Sequence, residues 1–144
     1  MRHKGNIDTF RLQRDNALLA AYRKQISEAR HITLSDILEK VVNMPTERFW
    51  VNEERATIVI GQMIAGDDLA GMRPNKRKMY EEIYCRVREI MSSHEGMRLY
   101  DAVWQVVNGP APMFYLTPKS AKTILNRSRK EKRRLAQGQP NGVS

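Results

Sequence analysis

Residues 34–45 read LSDILEKVVNMP, and residues 99–110 read LYDAVWQVVNGP, which is nearly the same pattern 65 positions later. The match continues beyond these stretches without a gap. Over the 27 positions from 34 to 60, eight residues are identical with their counterparts: Leu34, Asp36, Val41, Val42, Asn43, Pro45, Phe49 and Ala56. A repeat of this length in a chain of 144 residues indicates that two similar structural units follow one another.

Both copies have the apolar spacing of amphipathic helices, in which one face is apolar every three or four residues. The proline that follows Val-Val-Asn in each copy ends the second helix, because a residue before proline disfavours helical geometry. Asn52 and Thr117 are suited to cap the third helix of each copy. No strand-like alternation occurs elsewhere. The sequence therefore predicts an all-α fold with helices at about residues 7–30, 34–43, 53–65, 75–93, 98–108 and 118–135.

The repeat also predicts the domain organisation, with three consecutive helices forming each unit. We expect a near-neutral N-terminal unit over residues 1–66 and a C-terminal unit over residues 77–136. The segment 67–76 between them contains Gly71 and Pro74 and is predicted to be a linker. The polar residues 137–144 are predicted to form a disordered tail.

Positive charge is concentrated in the second half of the chain. Residues 1–74 contain 11 basic and 10 acidic groups, whereas residues 75–144 contain 14 basic and 6 acidic groups, within a net charge of +9 for the whole chain. A clustered positive field attracts polyanions such as nucleic acids. The charge distribution thus favours a polyanionic partner for the C-terminal unit.

Several classes of protein are excluded by what the sequence lacks. No apolar stretch approaches the 18 residues of a membrane span, and no apolar segment follows the basic N-terminus as in a signal peptide, so we expect a cytoplasmic protein without a membrane partner. The single Cys85 cannot form an internal disulfide. His3, His31 and His94 lie far apart without metal-ligand spacing, and no catalytic motif is present. We therefore predict no metal, no cofactor and no enzymatic activity.

The predicted third helices of the two copies differ sharply in charge. Residues 52–65 carry a net charge of −1, whereas residues 117–134 carry eight cations against Glu131. We predict that the second of these helices binds nucleic-acid phosphates, through Lys119, Lys122, Arg127, Arg129, Lys130, Arg133 and Arg134. Thr123 and Asn126 are the neutral polar residues best placed to reach base edges. The alternative interpretation is a solvated basic helix without a specific partner.

A second basic group surrounds the predicted start of the fourth helix, and it comprises Arg73, Lys76, Arg77 and Lys78. Because cations at this end oppose the helix dipole, we interpret the group as a further phosphate contact, with ordinary surface charge as the alternative. The aromatic residues between the second and third helices recur in both copies, which favours packing over base stacking, and they are Phe49, Trp50, Phe114 and Tyr115.

Three helices ending in a capped third helix resemble tandem helix-turn-helix or Myb-like DNA-binding proteins and the DNA-binding domains of small phage packaging proteins. One departure from that motif is that residues 44–51 and 109–116 form connections of eight residues in place of three or four. The stretch Pro110–Pro118 also resembles uncharacterised small bacterial proteins of mobile elements.

We therefore predict a non-enzymatic protein that binds double-stranded DNA through the basic C-terminal helix. RNA is an alternative partner, and a second alternative is an interaction or structural adaptor that docks onto an acidic protein. The N-terminal unit is predicted to be a scaffold or a homo-oligomerisation surface, with Ile58 exposed on its outer face beside Thr57 and Gln62.

Overall fold

The computed structural model describes the backbone of residues 2–30 and 33–143 and the side chains of residues 10–30 and 33–137. Within these residues the secondary structure consists of helices, and the fold is all-α, as predicted. The helices are α1 (Arg2–Glu28), α2 (Leu34–Val42), α3 (Glu53–Ile64), α4 (Pro74–Ser93), α5 (Leu99–Val107) and α6 (Pro118–Val143).

The helix starts follow from local capping chemistry. The Asn52 side chain accepts a hydrogen bond from the Arg55 amide at 3.0 Å, and the Thr117 hydroxyl accepts one from the Ser120 amide at 3.0 Å. Each bond satisfies an amide that has no partner within the first helical turn. The two caps predicted from sequence are therefore confirmed.

Three helix boundaries differ from the sequence expectation, and the first is the start of α1, which lies at Arg2 in place of about residue 7. The predicted linker 67–76 ends early because α4 begins at Pro74, whose fixed backbone suits the first helical position. At the other end, α6 continues to Val143 through most of the segment predicted as a disordered tail, residues 137–144. Residues 127–137 contain good helix formers and no proline or glycine, which accounts for the helix as far as Gln137, whereas nothing local explains its continuation through Gly138, Pro140 and Gly142.

The core consists of two hydrophobic clusters, and each is built from three helices. The α1–α2–α6 cluster buries Leu18, Leu19, Ile37, Leu38, Val41, Val42, Phe114, Ala121, Ile124 and Leu125. The α3–α4–α5 cluster buries a larger set, which includes Phe49, Ala56, Val59, Ile60, Tyr80, Ile83, Val87, Val103 and Val107. Burial of this apolar surface is the main stabilising contribution to the fold.

The grouping of helices in these clusters differs from the predicted units of three consecutive helices. Helix α3 packs on α4 and α5, and α6 packs on α1 and α2, so the third helices of the two copies are exchanged. The boundary expected at residue 66 thus passes through the α3–α4–α5 cluster. An eight-residue connection reaches about 26–29 Å when extended, which is long enough to carry each third helix across to the other pair.

The two connections cross at a reciprocal backbone contact. The Thr46 amide donates to the Ala111 carbonyl at 3.0 Å, and the Ala111 amide donates to the Thr46 carbonyl at 2.9 Å. The flanking bonds also form a matched pair: Phe49 amide to Val107 carbonyl, and Phe114 amide to Val42 carbonyl, each at 3.0 Å. All these partners are related by the 65-residue offset. The backbone hydrogen bonds therefore follow an approximate two-fold axis between Thr46 and Ala111.

Candidate functional site

Helix α6 buries one face and exposes the opposite one. Ala121, Ile124 and Leu125 pack into the α1–α2–α6 cluster. With 3.6 residues per turn, the opposite face carries a row of exposed polar residues without a carboxylate. We call this row the outer stripe, and it consists of Lys119, Lys122, Asn126, Lys130 and Arg133.

The other predicted contact residues of α6 flank the outer stripe and already have partners. The Arg127 guanidinium lies 3.7 Å from the Asp15 carboxylate, and the Arg129 guanidinium lies 5.8 Å from the centre of the Tyr22 ring. Arg134 pairs with Glu131 at 2.6 Å, and this hydrogen bond raises the pKa of Arg134. The first two contacts link α6 to α1, and the third lies within α6 itself. The described cations of the outer stripe have no such partner, so they are the ones free to meet a ligand.

Thr123 and Asn126 were predicted to reach base edges, and both are exposed. The Thr123 hydroxyl donates a hydrogen bond to the Lys119 carbonyl at 3.2 Å within its own helix. It retains acceptor capacity for a ligand, since a hydroxyl oxygen has two lone pairs. Asn126 lies in the middle of the outer stripe, between Lys122 and Lys130.

Part of the second predicted basic group comes close to the start of α6. Arg73 and Lys76 line a surface pocket of about 350 Å³ together with Thr117 and Ser120. Arg73 and Lys76 therefore lie next to the N-terminus of α6, although the residues that line this pocket there, Thr117 and Ser120, are uncharged. Arg77 and Lys78 are not among the residues that line this pocket; Arg77 is half-buried and Lys78 is exposed.

The four recurring aromatic residues divide into two kinds. Phe49 and Phe114 are buried, one in each hydrophobic cluster, which confirms the prediction of packing for this pair. Trp50 and Tyr115 are half-buried and line surface pockets. Tyr115 has a φ of 59°, an unusual backbone conformation for a non-glycine residue. Burial raises the pKa of Tyr115 to about 12, and its ring stacks on Phe49 with 6.1 Å between ring centres.

A groove that the sequence does not predict lies between α1, α3 and α4. It has a volume of about 580 Å³, and its lining includes Arg14, Trp50, Arg55, Lys76 and Tyr80. These residues come from four separate segments, so no local motif connects them. The sequence contains one indication of this groove. Asp15 in α1 and Tyr80 in α4 are polar residues at equivalent positions of the repeat, on helix faces that are otherwise apolar. A polar group at a buried position is more informative than an exposed one.

Other reactive side chains do not assemble into a site. Cys85 and His94 are exposed, whereas the side chains of His3 and His31 lie outside the described residues. Among the side chains that the structure describes, no three His, Cys, Asp or Glu residues come together as metal ligands. None of the helices, as far as they are described, is long and apolar enough to span a membrane.

Several large apolar side chains are exposed, and one of them, Ile58, lines the groove between α1, α3 and α4. Trp104 on α5 is 49% exposed, and Ile58 on α3 is 54% exposed, as expected for the outer face of that helix. Beside Ile58, Gln62 is also exposed, whereas Thr57 is half-buried and its hydroxyl donates to the Glu53 carbonyl at 2.7 Å.

Comparison with known protein families, with curated proteins and with solved structures finds no match to this chain.

Proposed function

We propose that this chain is a non-enzymatic DNA-binding protein that contacts the phosphate backbone of double-stranded DNA through the outer stripe of α6. The observation that carries the proposal is the arrangement of Lys119, Lys122, Lys130 and Arg133 on one exposed helix face, with Asn126 among them. Cations that repel one another within a single face favour an anionic ligand.

The dimensions of the outer stripe suit a backbone contact. From residue 119 to residue 133 the helix rises by about 21 Å. Along one DNA strand a phosphate occurs about every 3.4 Å of helix axis, so the stripe can meet several phosphates at once. Arg73 and Lys76 extend the positive surface beyond the start of α6. Asn126 is the residue we assign to base edges, because a side-chain amide can both donate and accept.

The α3–α4–α5 cluster has a different part in this proposal. Its exposed helix α3 carries Glu53, Glu54 and Arg55, so it lacks the charge to bind phosphates as α6 does. We assign to this cluster a scaffold role, with the exposed Ile58 as a contact for a second copy of the chain.

The test reverses charge on the outer stripe. Each Lys→Glu substitution replaces a positive with a negative charge and lowers the net charge by two, so Lys122→Glu with Lys130→Glu lowers it from +9 to +5. We expect duplex-DNA affinity to fall at least about tenfold at low salt. The slope of log K against log salt concentration should become shallower by about 2, because two phosphate contacts are lost. Fluorescence anisotropy measures both quantities, with duplex RNA and single strands as parallel ligands.

A matched control is available in the other cluster. Arg88→Glu with Arg98→Glu produces the same change in net charge on exposed residues of α4 and of the segment before α5. This control should retain nearly the affinity of the unmodified chain. Equal losses in the two double variants would show that net charge, and not the outer stripe, governs binding. Binding to an acidic protein but to none of the nucleic acids would support the adaptor alternative.

A further inference from the structure

Asp15 is a buried carboxylate that lies between two arginines on different helices. It is 9% exposed and belongs to α1, which packs on α6. The Arg14 guanidinium donates to Asp15 Oδ1 from Nε at 3.1 Å and from Nη2 at 2.9 Å. The second carboxylate oxygen, Oδ2, lies 3.7 Å from Nη2 of Arg127 on α6. A buried carboxylate needs such partners, because removing its charge from water is costly.

The two arginines hold Asp15 unequally. Both Arg14 distances lie within hydrogen-bonding range, whereas the 3.7 Å between Arg127 and Asp15 is too long for a hydrogen bond. The Arg127 side chain is 52% exposed, compared with 22% for Arg14. Arg127 can therefore leave Asp15 at little cost, since Arg14 continues to neutralise the carboxylate.

Arg127 flanks the outer stripe, where a bound duplex comes within its reach. It lies three residues before Lys130, and residues three apart are neighbours on a helix surface. A groove of about 560 Å³ between α1 and α6 is lined by both Asp15 and Arg127, so the guanidinium has space to turn. A phosphate accepts two charge-assisted hydrogen bonds from one guanidinium, which is a stronger contact than the long pair with Asp15.

We infer that Arg127 moves from the Asp15 carboxylate to a DNA phosphate when the outer stripe binds, and that Asp15 thereby limits the affinity. The inference rests on the proposed function and identifies the group that tunes it, a competing anion beside the DNA-binding surface. The other copy of the repeat has no equivalent pair, since Tyr80 and Gln62 occupy these positions and carry no charge. The competing carboxylate thus accompanies the basic helix alone.

Arg127→Gln tests the phosphate contact. The variant should fold, because Arg127 is half-exposed and Arg14 keeps Asp15 paired. Duplex affinity should fall roughly 3- to 10-fold at low salt. The slope of log K against log salt concentration should become shallower by about 0.9, because one phosphate contact is lost. An unchanged slope would show that Arg127 stays with Asp15 and would overturn the inference.

Asp15→Asn tests the competition. It removes the negative charge and keeps an oxygen that accepts from Arg14, so duplex affinity should rise roughly 3- to 10-fold at low salt. Glu28→Gln is the matched control, because it removes one negative charge from an exposed position of the same helix, and its effect should be smaller. Equal gains in the two variants would show that net charge governs the affinity and would contradict a specific role of Asp15.

The double variant tests whether Asp15 acts through Arg127. In a chain that carries Arg127→Gln, Asp15→Asn should raise duplex affinity no more than Glu28→Gln does, because the group that Asp15 holds is absent. The same gain with and without Arg127 would overturn the inference. Thermal unfolding shows whether each variant is folded, and if Asp15→Asn prevents folding, the slope measured for Arg127→Gln decides alone.

The outer-stripe variant separates this inference from the proposed function. If Lys122→Glu with Lys130→Glu weakens duplex binding while Arg127→Gln leaves the slope unchanged, the outer stripe binds phosphates and the movement of Arg127 is wrong. Absence of duplex binding by the unmodified chain would contradict the proposed function itself, and the inference with it.

Discussion

Helices α3 and α6 occupy equivalent positions in the repeat, and they differ in what they present to solvent. Their buried faces correspond residue for residue: Ala56 with Ala121, Val59 with Ile124 and Ile60 with Leu125. Their outer faces differ, since the counterparts of Thr57 and Ile58 of α3 in the repeat are Lys122 and Thr123 of α6. The two copies thus share their packing face, whereas the exposed face is basic in only one of them.

The two helices are also anchored differently. At the start of α3, the Arg48 guanidinium donates to the Asn108 side-chain oxygen at 3.2 Å, and the Asn108 amide donates to the Glu53 carboxylate at 2.9 Å. Burial lowers the pKa of Arg48, and the nearby Glu53 partly offsets that effect. The counterparts of Arg48 and Glu53 in the other copy are Met113 and Pro118, which cannot form this network. Helix α6 is instead linked to α1 through the pair between Arg127 and Asp15.

The largest expected effect tests whether the two crossing connections are equivalent. Phe49→Ala and Phe114→Ala each remove a buried ring that is inserted beside the exchanged helix, so each should lower the free energy of unfolding by about 3–5 kcal/mol. Urea denaturation followed by circular dichroism measures the loss. The half-exposed Trp104→Ala is the control and should cost less. A normal stability in either phenylalanine variant would contradict the exchanged packing of that helix.

A smaller effect tests the anchoring network of α3. Asn108→Ala should lower the free energy of unfolding by about 1–3 kcal/mol, since it leaves Arg48 and Glu53 without their shared partner. Asn43→Ala is the matched control, because Asn43 follows α2 at the equivalent position and its described side-chain bond is to the Glu39 carbonyl. Its loss should be about 0.5–1 kcal/mol. Equal losses in the two asparagine variants would remove the distinction between the two anchors.

The helices and their caps could be predicted from the sequence because they depend on local features. Apolar spacing, the prolines and the capping side chains act within a few residues of one another. The exchange of α3 and α6 could not be predicted in this way, since their nearly identical buried faces fit either pair of helices. The eight-residue connections were the one sequence feature that pointed to unusual docking.

The candidate site likewise has one part that could be predicted from local sequence and another that depends on tertiary packing. The outer stripe depends on charge and helical period, so residues such as Lys122 and Lys130 could be chosen from the sequence alone. The partners of Arg127 and Arg129 on α1 could not, because they arise from the exchanged packing. The groove around Tyr80 was missed for the same reason, as its lining comes from segments that meet only in the folded chain.

The salt dependence of duplex-DNA binding by the unmodified chain tests most directly whether the outer stripe binds phosphates. If the four cations of the outer stripe each neutralise one phosphate, log K should fall against log salt with a slope of about −3.6 or steeper. A titration series from low to physiological salt, followed by fluorescence anisotropy, gives this slope. A slope near zero, or no duplex binding at low salt, would contradict phosphate binding by the outer stripe.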